Sequence, residues 1–369
     1  MTEIYLIRHT QAEGNRLRIM QGHWDGGVTA LGEREIALLA ERFRDVPVDA
    51  VYASDLYRAR RTAGAVTRWG NKPLRIDPRL REINVGPWET RFFGNVFHDE
   101  PELANIFLRE PERFRLEGAE TFAEVTERAM AALRGILRAH EGGRVAIVSH
   151  GVTIRCLLSA LLHTPVSSMP LSPNTGVTHL LFEGERVTVD YLNDASHLAP
   201  LGEAVLRHAK SLRHERLDPA AEPDFYTGCY SDAWLSAHGS LEGYSAPVYL
   251  RAAEAHHRAD PDSVLRLLLE DEPVGLVDID PARGRFAGYG WLSLVYLRPE
   301  YRGQGFGIQA LARAYRWCAA HGRKWLRLNV ADSNAAALRL YEHEGFRTLR
   351  REGGSLLLLE KSLEEARHD

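Results

Sequence analysis

Two histidines stand 141 positions apart (150 − 9), and each follows an apolar run of the same kind. Ile4-Tyr5-Leu6-Ile7 leads into Arg8-His9, and Val145-Ala146-Ile147-Val148 leads into Ser149-His150-Gly151. If both runs are strands of an open parallel sheet, both histidines reach one edge, because ligands bind beyond the carboxyl ends of such strands. A third run, Val51–Ser54, continues through Asp55-Leu56-Tyr57 to Arg58 at a helix start on the same edge. Arg8, Arg58 and two imidazoles make a cationic pocket suited to a phosphate dianion, with arginine able to give bidentate contacts. One histidine at a strand end is more often a surface or cap residue. Two at matching strand ends, beside two arginines, favour the phosphate reading. A metal site is the rival, but neither histidine has a second His or Cys nearby at ligand spacing, and flanking arginines repel a cation.

A second chemical signal lies in Leu297-Arg298-Pro299-Glu300-Tyr301-Arg302-Gly303-Gln304-Gly305-Phe306-Gly307. Glycines at alternate positions before a helix let backbone N–H groups converge on an anion. The segment lacks the Gly-Lys-Ser/Thr of a P-loop. A dinucleotide fingerprint expects an acid about 20 residues further on, where Arg323, Lys324 and Arg327 stand instead. No acid stands out on Tyr289–Leu297, so no general base is assigned there.

The elements that must hold these residues fall into two sets. In the first, strands are expected at Ile4–Ile7, Val51–Ser54 and Val145–Ser149, with a hairpin of Thr178–Phe182 and Arg186–Leu192. Helices are expected from a Thr29 cap to about Arg44, and over Arg58–Trp69, Phe122–His140 and Val152–Leu162. Strand–helix alternation predicts an α/β domain with a mainly parallel sheet, three layers deep. The aromatic segment with Trp88, Phe92, Phe93, Phe97, Phe107 and Phe114 reads mainly as packing. Basic, weakly periodic Arg207–Asp218 reads as a connection with a partly helical start. Beyond it come helices at Phe225–His238 and Pro247–Ala259, then strands at Val264–Glu270, Glu272–Asp280 and Tyr289–Leu297. Helix Gly307–His321, strand Trp325–Val330, helix Asn334–Glu344 and strands Phe346–Arg351 and Ser355–Lys361 follow. Tight turns such as Asp271-Glu272-Pro273 point to antiparallel neighbours, hence a mixed α+β domain. The expected division is 1–206, a linker at 207–214, and 215–369.

Composition agrees with two globular domains. The 369 residues are 44% hydrophobic and 26% charged, with a net charge of −4. That is enough apolar material for real cores, and it argues against nucleic-acid or membrane partners held by bulk charge. Cys156, Cys229 and Cys318 lie too far apart in sequence for a disulfide framework or a zinc knuckle. The first residues carry no leader pattern and no apolar run approaches 18 residues, so a cytoplasmic location is expected.

The segment 6–15, LIRHTQAEGN, resembles the signature of the histidine phosphatase (phosphoglycerate mutase-like) superfamily. SDLYRARRTA at 54–63 resembles its second-arginine motif, REINVGPWE at 81–89 its acidic motif, EGAETFAEV at 117–125 its glycine–acid segment, and VSHG at 148–151 its second-histidine motif. The match runs in the family's order over about residues 1–200. It implies His9 as the phosphate-accepting nucleophile, with Arg8, Arg58 and His150 clamping the phosphoryl oxygens. Asn15 is implied as a further phosphate contact and Glu82 as the proton donor. Thr10 stands where the family usually has glycine, close to the phosphate, and is expected to narrow or reshape the pocket. His197 lies in a segment similar to one near the family domain's C-terminus and reads as structural. The 68 positions from Glu82 to His150 (150 − 82) look compact, which resembles the phosphatase branch rather than the mutases.

The glycine loop is similar to the pyrophosphate motif of the GNAT acetyltransferases, with Arg302, Gly305 and Gly307 at its matching positions and Gln304 and Phe306 between them. Downstream, Asn329–Asn334 followed by Leu340–Phe346 resembles the same superfamily, so the likeness covers about residues 212–362. It implies acetyl-CoA as cosubstrate, its pyrophosphate on the amides of Gly303–Gly307 and its pantetheine arm along Val295–Leu297. Tyr341 is implied as proton donor to the leaving thiolate. Asn334 is expected to cap its helix and to contact the cofactor. The whole then reads as a bifunctional, metal-independent enzyme: a hydrolase of a small phosphomonoester fused to an N-acetyltransferase with a small amine acceptor. A mutase in the first domain and a CoA-sensing second domain remain the alternatives, and the oligomeric state is left open.

Overall fold

The computed structural model describes residues 1–70, 72–202 and 210–364. They divide into two compact units, 1–91 with 96–202, and 92–95 with 210–364. In chain order the first part of the molecule contains β1 (Thr2–Arg8), α1 (Glu13–Leu17), α2 (Ala30–Arg42), β2 (Ala50–Ala53), α3 (Tyr57–Thr67) and β3 (Leu74–Ile76). Then come α4 (Phe93–Asp99), α5 (Pro101–Arg109), α6 (Phe122–Ala139), β4 (Arg144–Ser149), α7 (Gly151–Leu162), β5 (Val177–Glu183) and β6 (Arg186–Asp194).

The first sheet has the order β3-β2-β4-β1-β5-β6. Its β3, β2, β4 and β1 run parallel, and β5 and β6 close it antiparallel. Side chains alternate across a strand, and β1 shows why both faces must be covered. Tyr5 and Ile7 pack with Ile36 and Leu39 of α2, with Phe43 just after it, and with Ala59, Ala63 and Val66 of α3. Ile4 and Leu6 pack on the other face with Leu133 and Ile136 of α6 and Ile154, Leu157 and Leu158 of α7. The three-layer expectation is met. Thr29 caps α2 by accepting the Gly32 N–H at 3.0 Å, and Thr121 and Glu124 close a reciprocal capping box on α6. Trp88, Phe107, Phe114 and Phe122 meet edge-on or tilted, with ring centroids 5.0–6.1 Å apart, as the packing reading expects. Among the described residues no helix is long and apolar enough to cross a membrane.

The second unit contains β7 (Arg213–Arg216), α8 (Pro223–His238), α9 (Ala246–Ala259), β8 (Val264–Leu269), β9 (Glu272–Asp280), β10 (Tyr289–Leu297) and α10 (Phe306–Ala320). It ends with β11 (Trp325–Ala331), α11 (Ala335–His343), β12 (Arg347–Glu352) and β13 (Leu356–Ser362). Its sheet order is β12-β13-β11-β10-β9-β8-β7. All neighbours are antiparallel except β10 and β11, which pair in parallel only from Tyr289↔Trp325 to Leu292↔Leu328. One expectation is corrected. Arg213–Arg216, placed inside the basic connection, is an edge strand paired with β8. The helical start expected from Arg207 falls on residues outside those described.

Candidate active sites

His9 and His150 extend β1 and β4, which are held side by side by the Arg8↔Ser149 register. The His9 N–H donates to the Ser149 carbonyl at 2.9 Å. The two rings lie 5.0 Å apart, and both are almost wholly buried. His9 Nδ1 is 2.6 Å from the Thr10 carbonyl. A carbonyl can only accept, so Nδ1 carries the proton and Nε2 keeps its lone pair. Burial first, then the charges of Arg58 and Arg8, hold His9 well below the ordinary imidazole range. His150 is lowered in the same way by burial, Arg58, His9, Arg128 and Arg8. Both rings are therefore neutral at physiological pH.

The two arginines are fixed by backbone carbonyls. Arg58 is fully buried. It donates Nη1 to Trp24 at 2.9 Å and Nη2 to Gly22 at 2.7 Å, with Asp25 3.7 Å away. Asp25 also accepts the Tyr57 N–H at 2.8 Å, at the start of α3. Arg8 donates Nη1 to the Ser172 carbonyl. Among the described residues, Arg8 Nε, Arg58 Nε and both ring nitrogens of His150 are buried without a protein partner. Unsatisfied buried polar groups are costly and rare. Donors of this kind, clustered around a neutral histidine, suit an anion with several oxygens.

Glu82 reaches the same place from the loop after β3. Its carboxylate accepts N–H groups of Val152 at 3.1 and 3.2 Å and Thr153 at 3.2 Å, at the N-terminus of α7. A Cβ built on Gly151 would lie 3.6 Å from Arg8 Nε and 3.7 Å from Glu82 Oε2, so Arg8 and Glu82 converge on the turn that follows His150.

Three sequence expectations need adjusting or detail. Thr10 does not narrow the pocket, because its side chain turns to α2. Its hydroxyl is 2.7 Å from the Gly32 carbonyl and 2.8 Å from Glu35 Oε2. Glu35 Oε2 also accepts the Gln11 N–H at 2.7 Å, and burial raises the Glu35 pKa against these hydrogen bonds. Asn15 uses Oδ1 to accept the Ala12 N–H at 3.0 Å, capping α1. His197 meets Thr175 Oγ1 at 3.0 Å and Arg42 at 3.3 Å, in keeping with a structural role.

Glu89 was not singled out in the sequence, although it sits in the same acidic motif as Glu82. Its carboxylate gathers the N–H groups of Gly22, His23 and Trp24 at 2.7–3.2 Å. It thereby holds the segment whose carbonyls grip Arg58.

In the second unit, β10 runs to Leu297 beyond its last pairing with β11. Among the described residues, the edge that includes Val295 and Leu297 therefore has no strand partner beyond Leu292, and the Leu297 carbonyl on it accepts from the Arg302 side chain. Gly303 and Gly305 have φ of +71° and +83°, and an added Cβ at either would meet open space. The turn delivers the chain to the first N–H groups of α10, which have no intrahelical acceptor. These features fit a CoA pyrophosphate and pantetheine arm. A Cβ on Gly307 would sit 3.0 Å from Leu340 of α11, so its smallness also serves helix packing. Arg302 ties the loop down, donating Nε to the Leu297 carbonyl at 2.8 Å, and Gln304 donates to the Glu300 carbonyl at 2.6 Å. Phe306 is buried. Asn334 caps α11 by accepting the Ala337 N–H at 3.1 Å. Tyr341 is buried against Phe346, ring centroids 5.3 Å apart, and burial pushes its hydroxyl up to about 12.

Acidic and imidazole groups do meet near β9 and β10. Asp278 accepts from the Tyr226 hydroxyl and from His256 Nδ1, each at 2.7 Å. Burial lowers the His256 pKa, but hydrogen bonds to Asp278 and Asp280 raise it to about 9. The ring is thus protonated at neutral pH and is no base. Among the described residues no cluster of three or more metal-ligating side chains is assembled.

Comparison with known proteins divides the chain in the same way. The histidine phosphatase superfamily (branch 1) matches residues 4–195, and the acetyltransferase (GNAT) family matches residues 224–346. The probable phosphoglycerate mutase GpmB of Escherichia fergusonii is 33% identical over 165 residues, 45% of this chain and 77% of that protein. The protein of the same name from Yersinia enterocolitica is 35% identical over 165 residues, with the same shares. Among solved structures, Bacillus stearothermophilus YhfR is similar with a TM-score of 0.52 and 33% identity, covering 54% of this chain and 100% of its own.

Proposed function

The chain belongs to the histidine phosphatase superfamily (branch 1) and carries a GNAT acetyltransferase domain, and from that premise we propose that it hydrolyses a small phosphomonoester through a phosphohistidine on His9. The observation that carries this reading is the neutral, buried His9 with Nδ1 committed to a carbonyl. Nε2 attacks phosphorus, the N–P bond forms, and the ester P–O bond breaks. Arg8, Arg58 and His150 stabilise the charge on the transferring oxygens, which phosphoryl transfer needs more than covalent help. Glu82 gives its proton to the leaving alkoxide. As carboxylate it then takes a proton from water, whose oxygen attacks phosphorus and breaks the N–P bond. Asn15 keeps its amide nitrogen toward the phosphoryl group in this reading.

The second unit, taken to begin after a linker within 207–212, transfers an acetyl group to a small amine. Acetyl-CoA supplies the activated thioester. The Val295–Leu297 edge, the Gly303–Gly307 turn and the α10 N-terminus hold it, Arg302, Gln304 and Phe306 shape that turn, and Asn334 orders the neighbouring α11. Tyr341, kept protonated by burial, donates to the leaving thiolate. Cytoplasmic location and the absence of nucleic-acid and membrane partners belong to the same proposal, as does independence from metal.

The GpmB likeness supports one competing reading, a mutase that returns the phosphoryl group to a second position of phosphoglycerate. One assay separates the two. The full chain is given a panel of phosphomonoesters, phosphoglycerate included, and both free phosphate and isomerised ester are measured. Release of phosphate, lost in His9→Ala, is expected. Isomerised ester without free phosphate would establish the mutase. Acetylation of a panel of amines with acetyl-CoA tests the second unit, and binding without transfer across the panel would favour the CoA-sensing alternative.

A further inference from the structure

The segment that carries Glu82 has little regular structure of its own. It lies between single helical turns at Pro78–Leu80 and Gly86–Trp88. A general acid must nevertheless stand within hydrogen-bond reach of the atom it protonates, and a misplacement of about 1 Å costs about 10²-fold in rate. One side chain from α6 grips this segment at three points. Arg128 donates Nη1 to the carbonyls of Arg79 and Arg81, both at 2.8 Å, and Nη2 to the carbonyl of Glu82 at 2.9 Å.

Its guanidinium is held in turn by Glu120, which accepts from Nε at 2.8 Å and from Nη2 at 2.9 Å. Glu120 also accepts the Asn84 N–H at 2.8 Å, so one ion pair clasps the backbone on both sides of Glu82. His23 adds a second donor to the Glu82 carbonyl, with Nε2 at 3.0 Å. The pair is mostly buried, 18% and 24% exposed. Five donors in a planar fork allow this multiple grip, and the single ammonium of lysine cannot reproduce it.

We propose that Arg128, anchored by Glu120, positions Glu82 for proton transfer to the leaving group. The proposal rests on the reading of Glu82 as proton donor. Arg128 acts through Glu82, with the main chain of 79–84 as the link. Its charge also bears on His150, so the informative variant keeps the charge and removes the fork.

The test uses the full chain and two esters: an alkyl phosphate, whose leaving alkoxide needs a proton, and 2,4-dinitrophenyl phosphate, whose leaving group needs none. The quantity compared is kcat/KM, which reports formation of the phosphoenzyme and is blind to its hydrolysis. Arg128→Lys is expected to lose about 10- to 100-fold on the alkyl ester. On the dinitrophenyl ester it should change by no more than about 3-fold, with inhibition by inorganic phosphate unchanged. Glu120→Gln, which keeps the arginine and loosens its anchor, is expected to show the same split at smaller amplitude. It also serves if the lysine variant fails to fold. Glu82→Gln should show the full split, and adding Arg128→Lys to it should cost nothing more on the alkyl ester. Equal losses on both esters in the Arg128 and Glu120 variants, with the split intact in Glu82→Gln, would overturn the positioning role alone. No split in Glu82→Gln would overturn the donor reading and this inference with it.

Discussion

In the proposed function, the two units hold an anion in opposite ways. The first builds its site from charge taken out of water. Arg58 and His150 are fully buried, and the arginines are aimed by the carbonyls of Gly22, Trp24 and Ser172. The second offers mainly backbone, a positive-φ glycine turn, a helix start and an unpaired strand edge. The difference follows the chemistry. A transferring phosphoryl group carries charge that must be met at the reacting atoms. In acetyl transfer from a thioester, the phosphates of the carrier are remote from the reacting carbon, so amides and a helix dipole suffice to hold them. One site depends on a few irreplaceable side chains, and the other depends on chain path.

Substitutions can break that contrast, and the largest effect should come from the buried cation. Arg58→Lys keeps the charge but cannot hold two carbonyls and a phosphoryl group together. It should reduce phosphomonoester kcat/KM by about 10³-fold while leaving acetyl-CoA binding unchanged. A loss of less than about 3-fold would mean that the buried guanidinium serves folding only. Next, Glu82→Gln should slow alkyl phosphate hydrolysis by about 10²-fold and leave inhibition by phosphate nearly intact.

The complementary experiment changes chain path. Gly305→Val places a branched side chain at a φ of +83°, a conformation it strongly disfavours. Acetyl-CoA at 100 times its Kd should stabilise the wild-type fold by about 2.7 kcal/mol, seen as a rise in Tm. The variant should lose that rise and keep its phosphatase activity. A full rise in the variant would show that the turn does not hold the cofactor.

The smallest effect sharpens the first half of the comparison. Glu35 is buried beside Thr10, and its folded-state pKa is raised. Such an acid binds more protons folded than unfolded, so stability falls as pH climbs from the ordinary carboxylate range through the raised value. Glu35→Gln, which cannot ionise, should therefore raise Tm at pH 8 more than at pH 4. An equal change at both values would contradict a raised Glu35 pKa.

The sequence made visible those residues whose position follows from periodicity. His9 and His150 sit one step beyond apolar runs that become β1 and β4, and Thr29 and Asn334 cap the helices they precede. What it hid is of another kind. Arg128 lies on the polar part of α6 and looks like any solvated arginine until the fold brings the 79–82 carbonyls to it. Glu89 and Glu120 lay inside motifs, but their work is to collect backbone N–H groups from distant segments, which has no sequence period. The direction of Thr10 depended on α2 lying alongside. β7 escaped notice because Arg-His-Glu-Arg has no apolar alternation, and its strand form comes from pairing with β8. That Gly307 also leaves room for Leu340 of α11 was equally invisible, because the two come together only in the fold.

The central claim is covalent catalysis by His9, and trapping the phosphoenzyme tests it most directly. Wild-type chain is mixed with a phosphomonoester, quenched in alkali on the millisecond scale and digested, and the phosphorylated residue is located by mass spectrometry. The expected result is a phosphate on His9, stable to alkali, lost in mild acid and, when 2,4-dinitrophenyl phosphate is the donor, enriched in Glu82→Gln, where formation is spared and attack by water is slowed. Turnover at the wild-type rate by His9→Ala, or a phosphate trapped on a different residue, would contradict the account.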